Sequence, residues 1–190
     1  SSFFITSIAE PLLFGLDFDT GFTPGVDDWQ FPNYGSYVSP GGHCAGQSIS
    51  AMWYFYERRK ARGERPLFGR YDNNGVTPAT PDVWEDDTLG YRLASVVQKY
   101  IGWDGLMRES LLKLERQDDR LAYLALAHAM RLTGGPQYLS VKSTKENAGH
   151  AVVAYRIANR KVFVADPNQP GRTDRTIAVW SEFIIGGWKA

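Results

Sequence analysis

The sequence predicts an α+β domain whose helices come first and whose strands follow. Three observations support this class. Apolar residues recur at three- and four-residue spacing from Cys44 to about Arg62, again over 86–101, and again over 104–132. Four short runs rich in Val, Ile and aromatic residues fill the last third of the chain. The two kinds of segment do not alternate, which argues against a doubly wound parallel sheet.

The elements follow in order along one predicted domain, 1–190. Residues 1–43 are loop-rich, with turn signals at Asp19-Thr20-Gly21, Thr23-Pro24-Gly25 and Ser39-Pro40-Gly41-Gly42. A helical half spans 44–135. Its first helix carries Ala45, Ile49, Met52, Trp53 and Tyr56 on one stripe, and "ERRKARG" closes it with cations and a glycine. Residues 63–83, with Pro and Asn-Asn-Gly, read as an excursion. The stretch 104–132 divides into two helices near "RQDD", and Gly134-Gly135-Pro136 stops the helical half. The β half, 136–190, holds "QYLSV" (137–141), "HAVVAYRI" (150–157), "KVFVAD" (161–166) and "TIAVW" (176–180).

Composition bounds the function classes. Lys plus Arg and Asp plus Glu number 21 each, so the basic excess that phosphate binding requires is absent, and nucleic acid is not the expected partner. No apolar run reaches the length of a membrane span. Aromatic residues make up 14% of the chain, which suits a groove for an extended ligand. The opening "SSFFITSIAEPLLFG" has neither an initiator Met nor a basic n-region. It reads as a processed chain or a domain of a longer, secreted or cell-surface protein, with a cytoplasmic setting left open.

The single cysteine lies in "GGHCAGQSIS". Cys44 opens a helix, where free N–H groups and the macrodipole favour a thiolate, and Gly41, Gly42 and Gly46 leave space for a substrate backbone. The bland alternative is a buried structural thiol. Three histidines can supply a base. His43 adjoins the cysteine and points away from it, so it is expected at a cleft rim. His128 sits in the apolar "LAYLALAHAMRL" and is expected in or beside the core. His150 follows the polar turn "KENAG" and opens a strand.

Asp166 closes the next strand. With a three-residue turn, Ala158-Asn159-Arg160, Val152 faces Asp166 and His150 faces Asn168. His150 and Asp166 then share a face at roughly 7–8 Å between Cα atoms, within reach of an imidazole–carboxylate bond. A two-residue turn would reverse the parity and separate them. Taken alone, Asp166 in "DPNQPG" is a turn former.

Cys44, His150 and Asp166 together resemble the papain-like superfamily of cysteine peptidases, closest to bacterial C39-like domains. "GGPQYLSV" ahead of "GHAVVAYRI" and "VFVADPNQPG" is similar to that family's Gly-x-Pro strand, Gly-His strand and Asp-Pro turn. The resemblance implies a two-lobed fold, with the Cys44 helix packed on an antiparallel sheet that carries His150 and Asp166. It also implies peptide or isopeptide hydrolysis by a Cys-His-Asp triad acting on a peptide or protein substrate. Relatives carry an oxyanion-hole glutamine about six residues before the cysteine, where this chain has Val38. Asn33 and Gln30 are the amide side chains available, Asn33 being favoured, beside the Cys44 N–H. Val141, Gly149, Gly41 and Gly42 are the expected cleft walls. Ala45 stands where papain follows its cysteine with tryptophan.

Two other functions use the same residues. A transglutaminase, deamidase or acyltransferase would keep the triad and change the acceptor, and a papain-fold binding module would have lost catalysis. No cofactor or metal is expected. "DFDTGFTPGVDD" (17–28) lacks the fifth-position ligand and sixth-position glycine of a calcium loop, and one Cys with three scattered His makes a poor zinc set.

Overall fold

The computed structural model describes residues 15–71, 90–101, 119–142 and 149–178. In chain order the elements are β1 (Phe18–Asp19), α1 (Cys44–Trp53) continuing as a π-helix (Tyr54–Lys60), α2 (Gly90–Tyr100), α3 (Asp119–Thr133), β2 (Gln137–Lys142), β3 (Gly149–Ala158), β4 (Lys161–Ala165) and β5 (Thr176–Ala178). The described residues form an α+β arrangement with an antiparallel sheet. The expected helix over 104–118, the start of the helix near 86, residues 72–83 of the excursion and the end of the last strand lie outside the described residues. No helix among the described residues is long and apolar enough to cross a membrane.

Strand β3 organises the sheet. β4 pairs along one edge of it, while β2 (on residues 149–154) and β1 (on residues 156–157) share the other. β5 extends the sheet beyond β4. The sequence predicts only loop in the N-terminal segment, so β1 is an addition, a two-residue strand whose place is set by β3 rather than by its own pattern.

The β3–β4 hairpin departs from the expected register in two places. Its turn is two residues long, since Ala158 pairs with Lys161, and both Asn159 and Arg160 adopt positive φ (50° and 57°). Such a turn matches the twist of the flanking strands. Alone it would have separated His150 from Asp166. A β-bulge at Tyr155 then adds one residue to β3 only: Arg156 pairs with Phe163, but Ala154 pairs with Val164. The bulge falls where β3 changes neighbours from β2 to the β1 side. There Thr20 donates to the Tyr155 carbonyl twice, from its N–H (3.1 Å) and its hydroxyl (2.8 Å). From Ala154 to Val153 the pairing is the one expected for a three-residue turn. The two irregularities cancel.

The core reflects this shift of phase. Val152, Ala154, Ile157, Val162, Val164 and Ile177 pack with Tyr123, Leu124, Ala127 and Met130 of α3. The opposite face offers Val153, Tyr155 and Ala165 to Ala51, Tyr54 and Phe55 of the long first helix and to Phe22, Trp29 and Phe31 of the N-terminal loops. Successive β3 residues point to opposite faces, so α1 and α3 sandwich the sheet. Helix α2 packs on α1 at Gly46, where the backbones nearly touch. A Cβ at Gly46 would come within 1.9 Å of the Ala94 carbonyl oxygen and 2.8 Å of the Gln98 nitrogen.

Candidate active site

The loop before α1 is shaped by its own hydrogen bonds. Ser36 N–H donates to the Ser39 carbonyl (3.0 Å), Gly42 N–H donates to the same oxygen (3.1 Å), and Ser39 Oγ donates to the Gly42 carbonyl (2.6 Å). Gly35, at φ +83°, leaves no space for a side chain, since a Cβ would lie within 2.9 Å of three backbone atoms of 39–42. The loop delivers Cys44 as the first residue of α1, half-buried.

His150 is the second residue of β3, paired with Val141, and Asp166 follows the last residue of β4. Both side chains are buried, at 7% and 5% exposure. The His150 Nε2 lies 2.7 Å from Asp166 Oδ1. The imidazole also hydrogen-bonds Cys44. Nε2 is taken by Asp166, so the nitrogen facing the sulfur is Nδ1. Asp166 is anchored in turn by the Asn168 N–H (2.9 Å to Oδ1), and Arg175 Nε stands 3.7 Å from Oδ2.

The electrostatics of the three groups agree with one another. Burial opposes the Cys44 thiolate, but the hydrogen bond and charge of His150, with the N–H groups of Ala151 and Ala45, prevail and hold the thiol below its ordinary value. Burial likewise opposes the imidazolium, yet Asp166 and Cys44 together push His150 up to about 9. Asp166 is held below the usual carboxylate range, its burial outweighed by His150, the Asn168 N–H and Arg175. All three shifts therefore run in one direction, towards a thiolate, an imidazolium and a carboxylate in a row. Raised affinity for the proton means that the imidazolium persists through neutral pH and is lost as pH rises through about 9. A titration of the His150 ring resonance by NMR is expected to give that midpoint, falling in Cys44→Ala as the thiolate's contribution disappears. A midpoint at the ordinary value of about 6.5 in the unmodified protein would contradict the pairing.

The remaining candidates divide. Asn33 reaches the site region: its Oδ1 accepts from the His43 N–H, and its Nδ2 donates to Asn168 Oδ1 at 3.1 Å. Gln30 does not. Its amide is spent on the Tyr71 carbonyl and the Gly69 N–H, bracing the 69–71 loop. Gly41 is exposed, with nothing within 4 Å of a notional Cβ, whereas Gly42 (φ +108°) lies against the Asn33 amide. Gly149 is exposed across from Lys142. Val141, paired with His150 across β2 and β3, is buried in the core with Val152 and α3 instead of lining an open cleft. His43 is fully buried, with Phe31 and Tyr91 ring centroids at 5.7 and 4.8 Å, because its ring completes the aromatic core. It is not a rim residue. His128 is exposed on α3, facing away from the sheet that Ala127 and Met130 cover.

Two neighbours carry no signal in the sequence. Tyr138 on β2 has a half-buried phenol pushed up to about 12, by burial first and by Cys44 second. It therefore stays protonated beside the sulfur. Gln98 of α2 accepts the Gly46 N–H at 2.9 Å and so caps α1 from another helix. Only the packing at Gly46 identifies it. Among the described residues no group of three or more His, Cys, Asp or Glu could hold a metal ion. Three carboxylates of 17–28 are committed within the fold: Asp19 accepts from Gly21, Asp27 from Thr23 and Arg59, and Asp28 from Gly25 and Gly171.

No family model matches the chain, and neither the curated proteins nor the solved structures contain a match to it.

Proposed function

We propose that this protein is a cysteine peptidase of the papain-like type, with Cys44 as nucleophile, His150 as acid and base, and Asp166 as the group that orients the imidazole. The observation that carries the reading is the continuous polar chain from the sulfur at the start of α1 to the carboxylate after β4, with its buried 2.7 Å His150–Asp166 bond. A structural cysteine has no use for a buried imidazolium, whereas acyl transfer needs one.

In this mechanism the Cys44 sulfur attacks the carbonyl carbon of a peptide or isopeptide bond. The Cys44 backbone N–H, unpaired within the helix by virtue of its position, donates to the developing oxyanion. His150 Nδ1 passes its proton to the leaving nitrogen, the C–N bond breaks and a thioester remains. Water then gives a proton back to Nδ1 and attacks the thioester, which releases the acid and restores the ion pair. Asp166 stays ionised throughout and fixes the ring through Nε2. The two-lobed papain-like arrangement belongs to the same proposal, with the cleft at the junction of α1 and the sheet.

Mass spectrometry after incubation with an epoxysuccinyl peptide, a thiol-directed inhibitor, tests the reading. One adduct is expected on the unmodified protein and none on Cys44→Ala. Adduct on both, or on neither, removes Cys44 from the role.

A further inference from the structure

We infer that Asn33 is a positioning residue that clamps the turn before Cys44 to the turn after Asp166, and that it is not an oxyanion donor. The inference rests on the peptidase reading and concerns how its two halves are held in register. Asn33 lies far from the second turn in sequence, yet three of its polar groups are committed to the two. Its Oδ1 accepts from the N–H of His43, the residue preceding Cys44. Its Nδ2 donates to Asn168 Oδ1 at 3.1 Å, and its backbone N–H donates to the Pro167 carbonyl at 2.9 Å. Asn168 in turn donates its own N–H to Asp166 Oδ1, the same oxygen that meets His150 Nε2. One carboxamide therefore joins the helix start that carries the sulfur to the strand end that carries the carboxylate.

The loop is built to hold that amide still. A Cβ at Gly42 would stand 2.9 Å from Asn33 Oδ1, so only glycine permits the close approach there. An amide whose oxygen is bound on one turn and whose nitrogen is bound on the other cannot swing towards a carbonyl without releasing both. It is suited to fixing the distance between Cys44 and His150, on which the ion pair depends, because misplacement of catalytic groups by about 1 Å can cost on the order of a hundredfold in rate.

A clamp and an oxyanion donor differ in when they act. The clamp works in the resting enzyme, whereas the donor works only once a carbonyl becomes tetrahedral. Alkylation of Cys44 by iodoacetamide occurs at saturated carbon and forms no oxyanion, so its pH profile reports the thiolate alone. Removing the clamp is expected to move the acid midpoint of that profile upward in Asn33→Ala. A midpoint that rises by about one pH unit slows alkylation about tenfold at pH values below it. Asn168→Ala, at an exposed position, breaks only the Nδ2 arm and is expected to move the midpoint the same way by less. If Asn168→Ala superimposes on the unmodified protein, the clamp is refuted whatever Asn33→Ala does, including any loss of folding by circular dichroism. If the unmodified protein itself titrates as a free thiol, the peptidase reading fails instead.

Discussion

Replacing His150 by alanine is expected to abolish hydrolysis, with a loss of about 10⁴-fold or more, the scale seen when a base that acts as one unit with its nucleophile is removed. The thiol's reactivity should collapse as well, for a separate reason. Burial raises the Cys44 pKa, and the imidazolium is the largest influence lowering it. Without the ring, the thiol returns to or above a free-cysteine value of about 8.5, and at pH 6.5 the thiolate falls to about 1% or less. Inactivation by an epoxysuccinyl peptide at that pH should then slow, because the influence that lowers the thiol's pKa most is gone. The fold should survive, because His150 lies near the open end of β3 and Val141 and Val152 remain to fill the core around it. Circular dichroism of the variant checks this. Inactivation at an undiminished rate in a folded His150→Ala protein would mean that the sulfur owes nothing to the imidazole.

The second large effect concerns stability. Gly46→Ala should stabilise α1 by about 1 kcal/mol if helix propensity alone decided the outcome. The opposite is expected. The new methyl group would sit 1.9 Å from the Ala94 carbonyl oxygen and 2.8 Å from the Gln98 backbone nitrogen, neither of which can rotate away. The two helices must separate, and overpacking of this kind costs about 3 kcal/mol or more. For a domain of this size that corresponds to a fall in Tm of about 6–12 °C. The Gly46–Gln98 bond at the start of α1 would open with it, so the helix end beside Cys44 loosens too. Thermal unfolding followed by circular dichroism decides between the two signs.

Much of the fold is legible because each long element carries a clean period. The stripe beginning at Ala45 and the strand runs at 137, 150 and 161 reappear within a residue or two of their expected limits. The helix from Cys44 changes to π geometry at Tyr54, which its apolar spacing does not announce. The meeting of His150 with Asp166 is legible for an incomplete reason. Asn-Arg is not among the dipeptides that announce a turn with two positive φ angles, so the sequence suggests a turn one residue longer than the real one. The bulge at Tyr155 cannot be read locally either, since it coincides with a change of neighbouring strand and its carbonyl is occupied by Thr20, 135 residues away in sequence. Adjacency misleads at His43: a ring next to a nucleophile looks like a rim group until Phe31 and Tyr91 are known to enclose it. Asn33, Asn168 and Gln98 act through partners on other elements, and no spacing encodes such partnerships.

The β3–β4 hairpin behaves as a vernier with two settings of opposite sense. A shorter connection at 159–160 advances one strand by a residue, and the extra step at 155 sets it back before the count reaches the imidazole. A three-residue connection at the tip and a regular strand at 155 would thus together leave the pairing beside the buried carboxylate as it is. A register slip of one residue between the strands would carry the imidazole and the carboxylate to opposite faces of the sheet, so a bend at the far end of the hairpin bears on whether the two meet.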